Sequence, residues 1–575
     1  VTDIPTHPST PAAEIPADAS DRTLPRLVRD TLPLALDVAI EVAKLNGVCI
    51  RPIELRRLDV HTGQSESFDV PCGATQEAKC PPCAKRNRQL RMAQCREGWH
   101  LEAEPVAEPN PSTEEQQWLI EFRADVQAKR DEAERDGHGE EVADWDEAIV
   151  GIDAEINASG IRGNVLGGRS APKRSRSTRR RQDAPDLPKR AKQDTTLGRT
   201  FSAPDGRVYR PSLFVTLTLP SYGRIRSGQG VPVDPSTYDY AAAARDALHF
   251  SKLVDRFVQN LRRVAGYDVQ YFATVEPQKR FAPHLHMAIR GTLPRAEIKA
   301  IAAATYHQVW WPAVDEVRFD GDHLPVWAER ADLGDGAAYL DGQSGDYLDP
   351  ATGELLATWD EALDQLDADE TAEPLHVLRF GAQVDVQGIV AGSPDAHKRV
   401  SYLTKYLTKS LGDTLDADDR VRRDHAARMV EALRYEPCSP TCANWLRYGV
   451  QPKGAKAGMM PGRCKGKAHK PEHLGYAGRR VLVSRKWSNK TLREHKQDRR
   501  AWVLDMLGLP DETATDPHRY LWRPVSTSDP TRTPLAKRLL RGVANRHRTR
   551  ARLAELQARA DGRPTPDLSA TSLAA

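Results

Sequence analysis

The sequence predicts an α+β fold built around a mainly antiparallel sheet, and three observations carry that expectation. The stretches "SLFVTLTLP" (212–220), "YDVQYFATVE" (267–276) and "PHLHMAIRG" (283–291) alternate in the manner of half-buried strands. Between the first two, "AAAARDALHFSKLVDRFVQNLRRVAG" (241–266) sets Leu248, Leu253, Phe257, Leu261 and Val264 at helical spacing, as a long helix lying on a sheet would. Eight cysteines in 575 residues are too few for a disulfide scaffold. Seven of them fall into two tight groups, which in a reducing compartment points to metal.

At this length several domains are expected, since single hydrophobic cores stop growing well below it. Residues 1–30, rich in Pro, Ala, Thr and Asp, lack periodic apolar positions and are expected to be disordered. A zinc-binding module is expected over 31–105. Over 106–160, Trp118, Leu119, Phe122 and Val126, then Val142, Trp145, Ile149, Ile152 and Ile156, predict a helical hairpin broken near Gly137–Gly139. Residues 161–205 read as a basic linker, because 169–192 holds ten Lys or Arg against two Asp among Pro and Ser. The sheet domain is expected over 206–415, interrupted by an acidic, irregular insertion at 312–374, after which "HVLRFGAQVDVQ" (376–387) returns to the sheet. A second zinc module (416–505) and a basic C-terminal tail (506–575) complete the expected order.

Lys and Arg number 83 against 80 Asp and Glu, so any affinity for an acidic polymer must come from local charge. No run approaches 18 apolar residues, and "VTDIPTHPSTPAAEIPADAS" lacks the basic-then-apolar layout of a signal peptide. A soluble, cytoplasmic protein without a membrane partner is expected.

The first cysteine group, "PCGATQEAKCPPCAKRNRQLRMAQC", offers Cys72, Cys80, Cys83 and Cys95 to a tetrahedral Zn2+, with His100 in reserve. The second offers Cys438, Cys442, Cys464 and His469, with His473 as a looser alternative. Lys85, Arg86, Arg88, Arg91, Lys465, Lys467 and Lys470 surround them, and basic zinc modules suit nucleic acid.

Two further motifs carry chemistry. In "FAPHLHMAIRG" (281–291) strand alternation puts His284 and His286 on one face and Leu285, Met287 and Ile289 on the other, a geometry that can hold a metal ion. In "YLTKYLTK" (402–409) a helix gathers Val400, Leu403, Leu407 and Leu411 into one apolar stripe, opposite Tyr402, Tyr406, Lys405 and Lys409. Ammonium groups beside phenols favour the phenolate and offer charge to a phosphate, and tyrosine is a known covalent nucleophile.

The order of a "FVTLTLP" strand, a His-hydrophobic-His strand and a downstream Tyr-x2-Lys helix resembles the HUH endonucleases, specifically rolling-circle replication initiators. The Tyr-x3-Tyr spacing resembles their two-tyrosine class. "VPCG…CPPCAKR…QCREGWH", "VTLTLPSYG", "VEPQKRFAPHLHMAIRG", "YLTKYLTKSL", "CANWLRYGVQPKGA" and "GRRVLVSRKW" together resemble the RepSA-type initiators of actinomycete plasmids, from about Cys49 to about Trp502.

The resemblance implies an HUH endonuclease domain whose His284 and His286 bind Mg2+ or Mn2+ at the scissile phosphate. Glu276 is the expected third ligand, because a hairpin through 277–283 sets it opposite His284, and Gln278 is the alternative. Thr216 and Thr218 are expected to support the sheet and the site. Tyr406 is implied as nucleophile of the first cut, leaving a 5′-phosphotyrosine and a free 3′-OH, and Tyr402 as that of the closing transfer, with Lys405 and Lys409 stabilising charge. Origin DNA, duplex and single-stranded, is the implied partner, along with host replication proteins. No G-x4-G-K-[ST] loop occurs, so the helicase is expected from the host. A relaxase or transposase of the same chemistry, or a non-catalytic zinc-containing DNA-binding regulator, are the competing readings.

Overall fold

The computed structural model describes residues 33–101, 103–104, 112–161, 183–198, 200–202, 204, 206, 208–329, 345–390, 392–405, 407, 419–477, 480–506 and 519–560. The expected disordered N-terminus, 1–30, lies outside them. The described chain opens with α1 (Pro33–Leu45), a hairpin of β1 (Ile53–Asp59) and β2 (Ser65–Val70), and α2 (Pro81–Trp99). Pro81 and Pro82 start α2 where their missing N–H groups cost nothing. Next come α3 (Glu114–Asp136) and α4 (Gly139–Ala158), paired through Leu119, Val126, Ile152 and Ile156. Gly137, at φ 77°, reverses the chain between them, and Arg123–Asp153 (2.9 Å) and Arg130–Asp146 (3.0 Å) tie the pair across its seam.

Of the expected basic linker, 162–182 lies outside the described residues, whereas 183–198 is fixed to the body of the protein. Arg190 pairs with Glu297 and donates to the Val264 carbonyl, and Glu104 accepts from the Leu197 amide (3.1 Å). The arginines of this stretch therefore include one consumed in packing.

The main body is β3 (Pro211–Thr218), α5 (Tyr240–Ala265), β4 (Tyr271–Pro277), β5 (Pro283–Arg290), α6 (Arg295–Ala304), β6 (Tyr306–Val309), α7 (Trp359–Ala368), β7 (His376–Arg379), β8 (Val384–Val390), α8 (Pro394–Lys405), α9 (Arg420–Tyr435) and β9 (Val481–Val483). Five strands form one antiparallel sheet in the order β8-β3-β5-β4-β9, so the two-histidine strand β5 lies at its centre. The stretch 376–387 divides in two: β7 pairs with β6, and only β8 joins the main sheet. The turn between them has Gly381, whose N–H bonds to the Thr218 carbonyl.

One sheet face buries Leu213, Val215, Leu217, Leu285, Met287 and Ile289 against α5, whose Phe250, Phe257 and Leu261 form its apolar stripe. Phe214, Phe272 and Ala288, on the other face, are covered by α2 and α8 through Trp99, Val400 and Leu403, and by Trp487 in the turn after β9. Gly98 permits that closeness, since a Cβ there would stand 2.1 Å from Trp487 Cδ1.

The described parts of the expected irregular insertion, 312–329 and 345–374, are folded. Strands Val326–Glu329 and Gly345–Leu348 pair, and Tyr347 donates its hydroxyl to the Lys456 and Met459 carbonyls. Trp359 of α7 packs on Trp311 and Trp445, joining the insertion to the second cysteine region.

The described part of the expected basic tail, 519–560, is also built into the fold. After α10 (Leu492–Met506), β10 (Tyr520–Pro524) adds to the free edge of β1, and α11 (Leu535–Ala560) packs on α1 through Ala536, Leu539 and Val543. Its first half is apolar on one side, which the Arg-rich composition masks. No described helix is long and apolar enough to cross a membrane.

Candidate functional site

The register of the central strands brings the expected metal residues into line. His284 lies between Thr218 on β3 and Glu276 on β4, and His286 between Thr216 and Thr274. The rings of His284 and His286 meet edge to face at 4.4 Å. Each Nδ1 faces a threonine hydroxyl, His284 to Thr218 at 2.7 Å and His286 to Thr216 at 3.1 Å. In the tautomer that donates Nδ1–H to the threonine, each Nε2 keeps its lone pair for a cation. Glu276 Oε2 stands 3.8 Å from His286 Nε2, and Gln278, at 3.5 Å from His284 Nδ1, is held by Arg280. Burial, with His286 beside it, pushes the pKa of His284 down to about 4, so this imidazole is neutral and able to ligate at physiological pH. Two imidazoles and a carboxylate are a donor set of the kind that can hold a divalent cation, although their ligand atoms are not gathered within 4.8 Å of one another.

Tyr402 reaches this face from α8. Its hydroxyl lies 3.3 Å from His286 Nε2, and its ring packs edge-on against His286 and Phe214. Val400 and Leu403 are buried, as the first half of the expected stripe requires, but α8 ends at Lys405, which is exposed, so Leu407 lies beyond the helix rather than on it. Tyr406 and Lys409 lie outside the described residues.

Among the described residues, two groups bring three or more metal-ligating atoms within 4.8 Å of one another, and both are cysteine clusters. The second is the expected one: Cys438, Cys442, Cys464 and His469. His469 Nδ1 is 2.7 Å from the Leu433 carbonyl, which leaves Nε2 toward Cys442 Sγ at 3.5 Å. Gly466 lets the loop close, because a Cβ there would sit 3.2 Å from Cys438 Sγ. His473 is not in the group.

The first cluster corrects the expected ligand set. It is Cys49, Cys72, Cys80 and Cys83, with Cys49 Sγ 3.8 Å from Cys80 Sγ and accepting from the Cys72 amide at 3.3 Å. Cys95 sits three turns along α2 from Cys83, wholly buried among Trp99, Phe214 and Trp487, where it packs the sheet. His100, the expected reserve, stacks on His397 at 5.6 Å instead. The eight cysteines form no disulfide, and both four-membered groups could hold a zinc ion.

The fold and these groups define an α+β protein with candidate metal centres. Comparison with known proteins narrows the class: the family model described as "Replication initiator protein, pSAM2" matches residues 35–545, so the chain belongs to the RepSA family. A replication initiator protein of Streptomyces ambofaciens is 28% identical over 273 residues, covering 41% of this chain and 52% of the relative. The chain thus matches about half the length of that curated relative. No solved structure matches it.

Proposed function

We propose that this protein starts rolling-circle replication of a plasmid by nicking one strand at the origin, through HUH chemistry at the face formed by His284, His286 and Glu276. The observation that carries this reading is the Tyr402 hydroxyl, 3.3 Å from the Nε2 that a metal ion would occupy, on the same face as the carboxylate. A divalent cation bound there supplies charge to the non-bridging oxygens of the scissile phosphate. Thr216 and Thr218 aim the imidazoles, and α8 delivers the phenol. A tyrosine oxygen bonds to phosphorus as the P–O3′ bond breaks; the phenol loses its proton and the departing 3′ oxygen gains one. The products are a 5′-phosphotyrosine and a 3′-OH that primes synthesis.

Tyr406, four residues beyond Tyr402 in sequence, serves as nucleophile for the first cut, and Tyr402 for the transfer that closes the circle. Lys405 and Lys409 stabilise charge on the phosphate or phenolate. Host helicase and polymerase extend the 3′ end.

Incubation of the protein with a labelled origin single strand and Mn2+, followed by a denaturing gel, should show a covalent adduct that maps to 402–406. Tyr406→Phe should remove most of the first adduct, and Tyr402→Phe should form it but release no closed circles. His284→Ala with His286→Ala should abolish nicking and leave duplex binding intact. An adduct on any other residue, or full nicking by the double histidine variant in EDTA, overturns the proposal.

A further inference from the structure

Beside the tyrosine helix is a cleft whose walls come from both cysteine regions. Arg88 and Arg91 enter it from α2, Arg480 from the stretch before β9, and Glu472 and His473 from the loop after His469, while Leu407 forms part of its floor. Its charge is lopsided. Glu472, the carboxylate among its described lining residues, is engaged by Lys79 at 3.1 Å. Arg91 donates to the side-chain oxygen of Gln94 (2.8 Å), a neutral partner that leaves its guanidinium charge uncompensated there. Arg88, which lines the cleft, has a buried Nε with no hydrogen-bond partner among the described residues, which is costly for a guanidinium. Burial holds the pKa of Arg91 below its ordinary value.

We infer that this cleft binds the sugar-phosphate backbone of single-stranded DNA on one flank of the nick, with Arg88 and Arg91 as the phosphate ligands. Guanidinium forks match phosphate oxygens in pairs, so two arginines one turn apart on α2 can take adjacent phosphates. A recessed cleft suits a single strand, whereas a duplex presents its phosphates on a convex surface. The position fits, since Leu407, two residues beyond the end of the tyrosine-bearing α8, lines the cleft, and α2, which carries both arginines, packs on α8. Asn87 holds the rim by donating to the Gly73 and Ala74 carbonyls (3.0 Å each), so the cysteine loop shapes the cleft directly.

The inference rests on the nicking proposal for the identity of its ligand, and its test is a binding measurement in EDTA, where no cleavage is needed. Anisotropy of a labelled origin single strand should give a Kd about tenfold higher for Arg88→Ala with Arg91→Ala than for the unchanged protein. The slope of log K against log salt should fall by about 0.7 for each phosphate that is no longer neutralised. Arg88→Lys with Arg91→Lys should recover much of the affinity. Shortening the strand stepwise from one end should abolish the difference between the two proteins, and shortening it from the other should not. Equal Kd and salt slope, or a difference that survives shortening from both ends, overturns the inference. If the alanine pair alters the far-ultraviolet circular dichroism, Arg88→Gln with Arg91→Gln replaces it under the same criteria. A missing covalent adduct would defeat the nicking proposal and leave these binding results standing.

Discussion

Thr216 and Thr218 stand one strand away from the histidines and hold each Nδ1, so the ring orientation at the two-histidine face is set by β3 rather than by β5 itself. Hydrogen-bonding partners of this kind commonly tune metal affinity by about 10–100-fold. Thr218→Val preserves shape and removes the hydroxyl. It should weaken Mn2+ binding, followed by calorimetry, by about that factor, with duplex binding unchanged; an unaltered Mn2+ affinity would show that the hydroxyl does not aim the ring. The placement of Glu276 opposite His284 is legible in the sequence, because strand pairing across a short connection leaves few registers. The closeness of Tyr402 to His286 is not, since it depends on how α8 lies across the sheet, a matter of packing between Leu403, Phe214 and Trp487 that no local pattern encodes.

α2 shows why spacing alone misassigns the first cysteine set. Its start carries Cys80 and Cys83 into the thiol cluster, its middle turns Arg88 and Arg91 toward the cleft, and its end buries Cys95 and Trp99 on the sheet, where Trp99 donates to Ser212 at 2.8 Å. Cys95 is close to the other thiols in sequence, but a helix rises about 1.5 Å per residue and carries it far from them. Cys49, 23 residues before Cys72, is returned by the β1–β2 hairpin. Cys49→Ser should therefore lower the zinc content from two ions per chain to one. Cys95→Ser should keep both while destabilising the fold by about 1–3 kcal/mol, the usual cost of placing a hydroxyl in an apolar site. Elemental analysis and urea melts distinguish the two, and the opposite zinc contents would restore Cys95 to the cluster.

At the scale of the whole molecule, the first and last described segments close on each other: β10 completes the sheet begun by β1, and α11 covers α1. Arg538 locks this junction, buried with Glu54 (3.7 Å) and Asp69 (2.6 Å) and donating to the Pro52 carbonyl. Arg538→Ala strands a carboxylate that is almost fully buried, and urea denaturation should register a loss of about 3–5 kcal/mol. No change would mean that the junction holds by its apolar contacts alone. Composition marks 506–575 as a tail because arginine dominates it; the apolar stripe that docks α11 is narrow, and its partner lies almost the whole chain away.

That separation sets a clock. Arg56 of β1 bonds to Thr531, 475 residues later. At a synthesis rate of about 5–20 residues per second, β1 leaves the ribosome roughly 25–95 s before its second neighbour exists. For that interval one edge of the nascent sheet is bare, with its amides and carbonyls offered to any passing strand. The cell must shelter it, and a polypeptide released early cannot complete the sheet at all, so an aborted translation product lacks one wall of its N-terminal module.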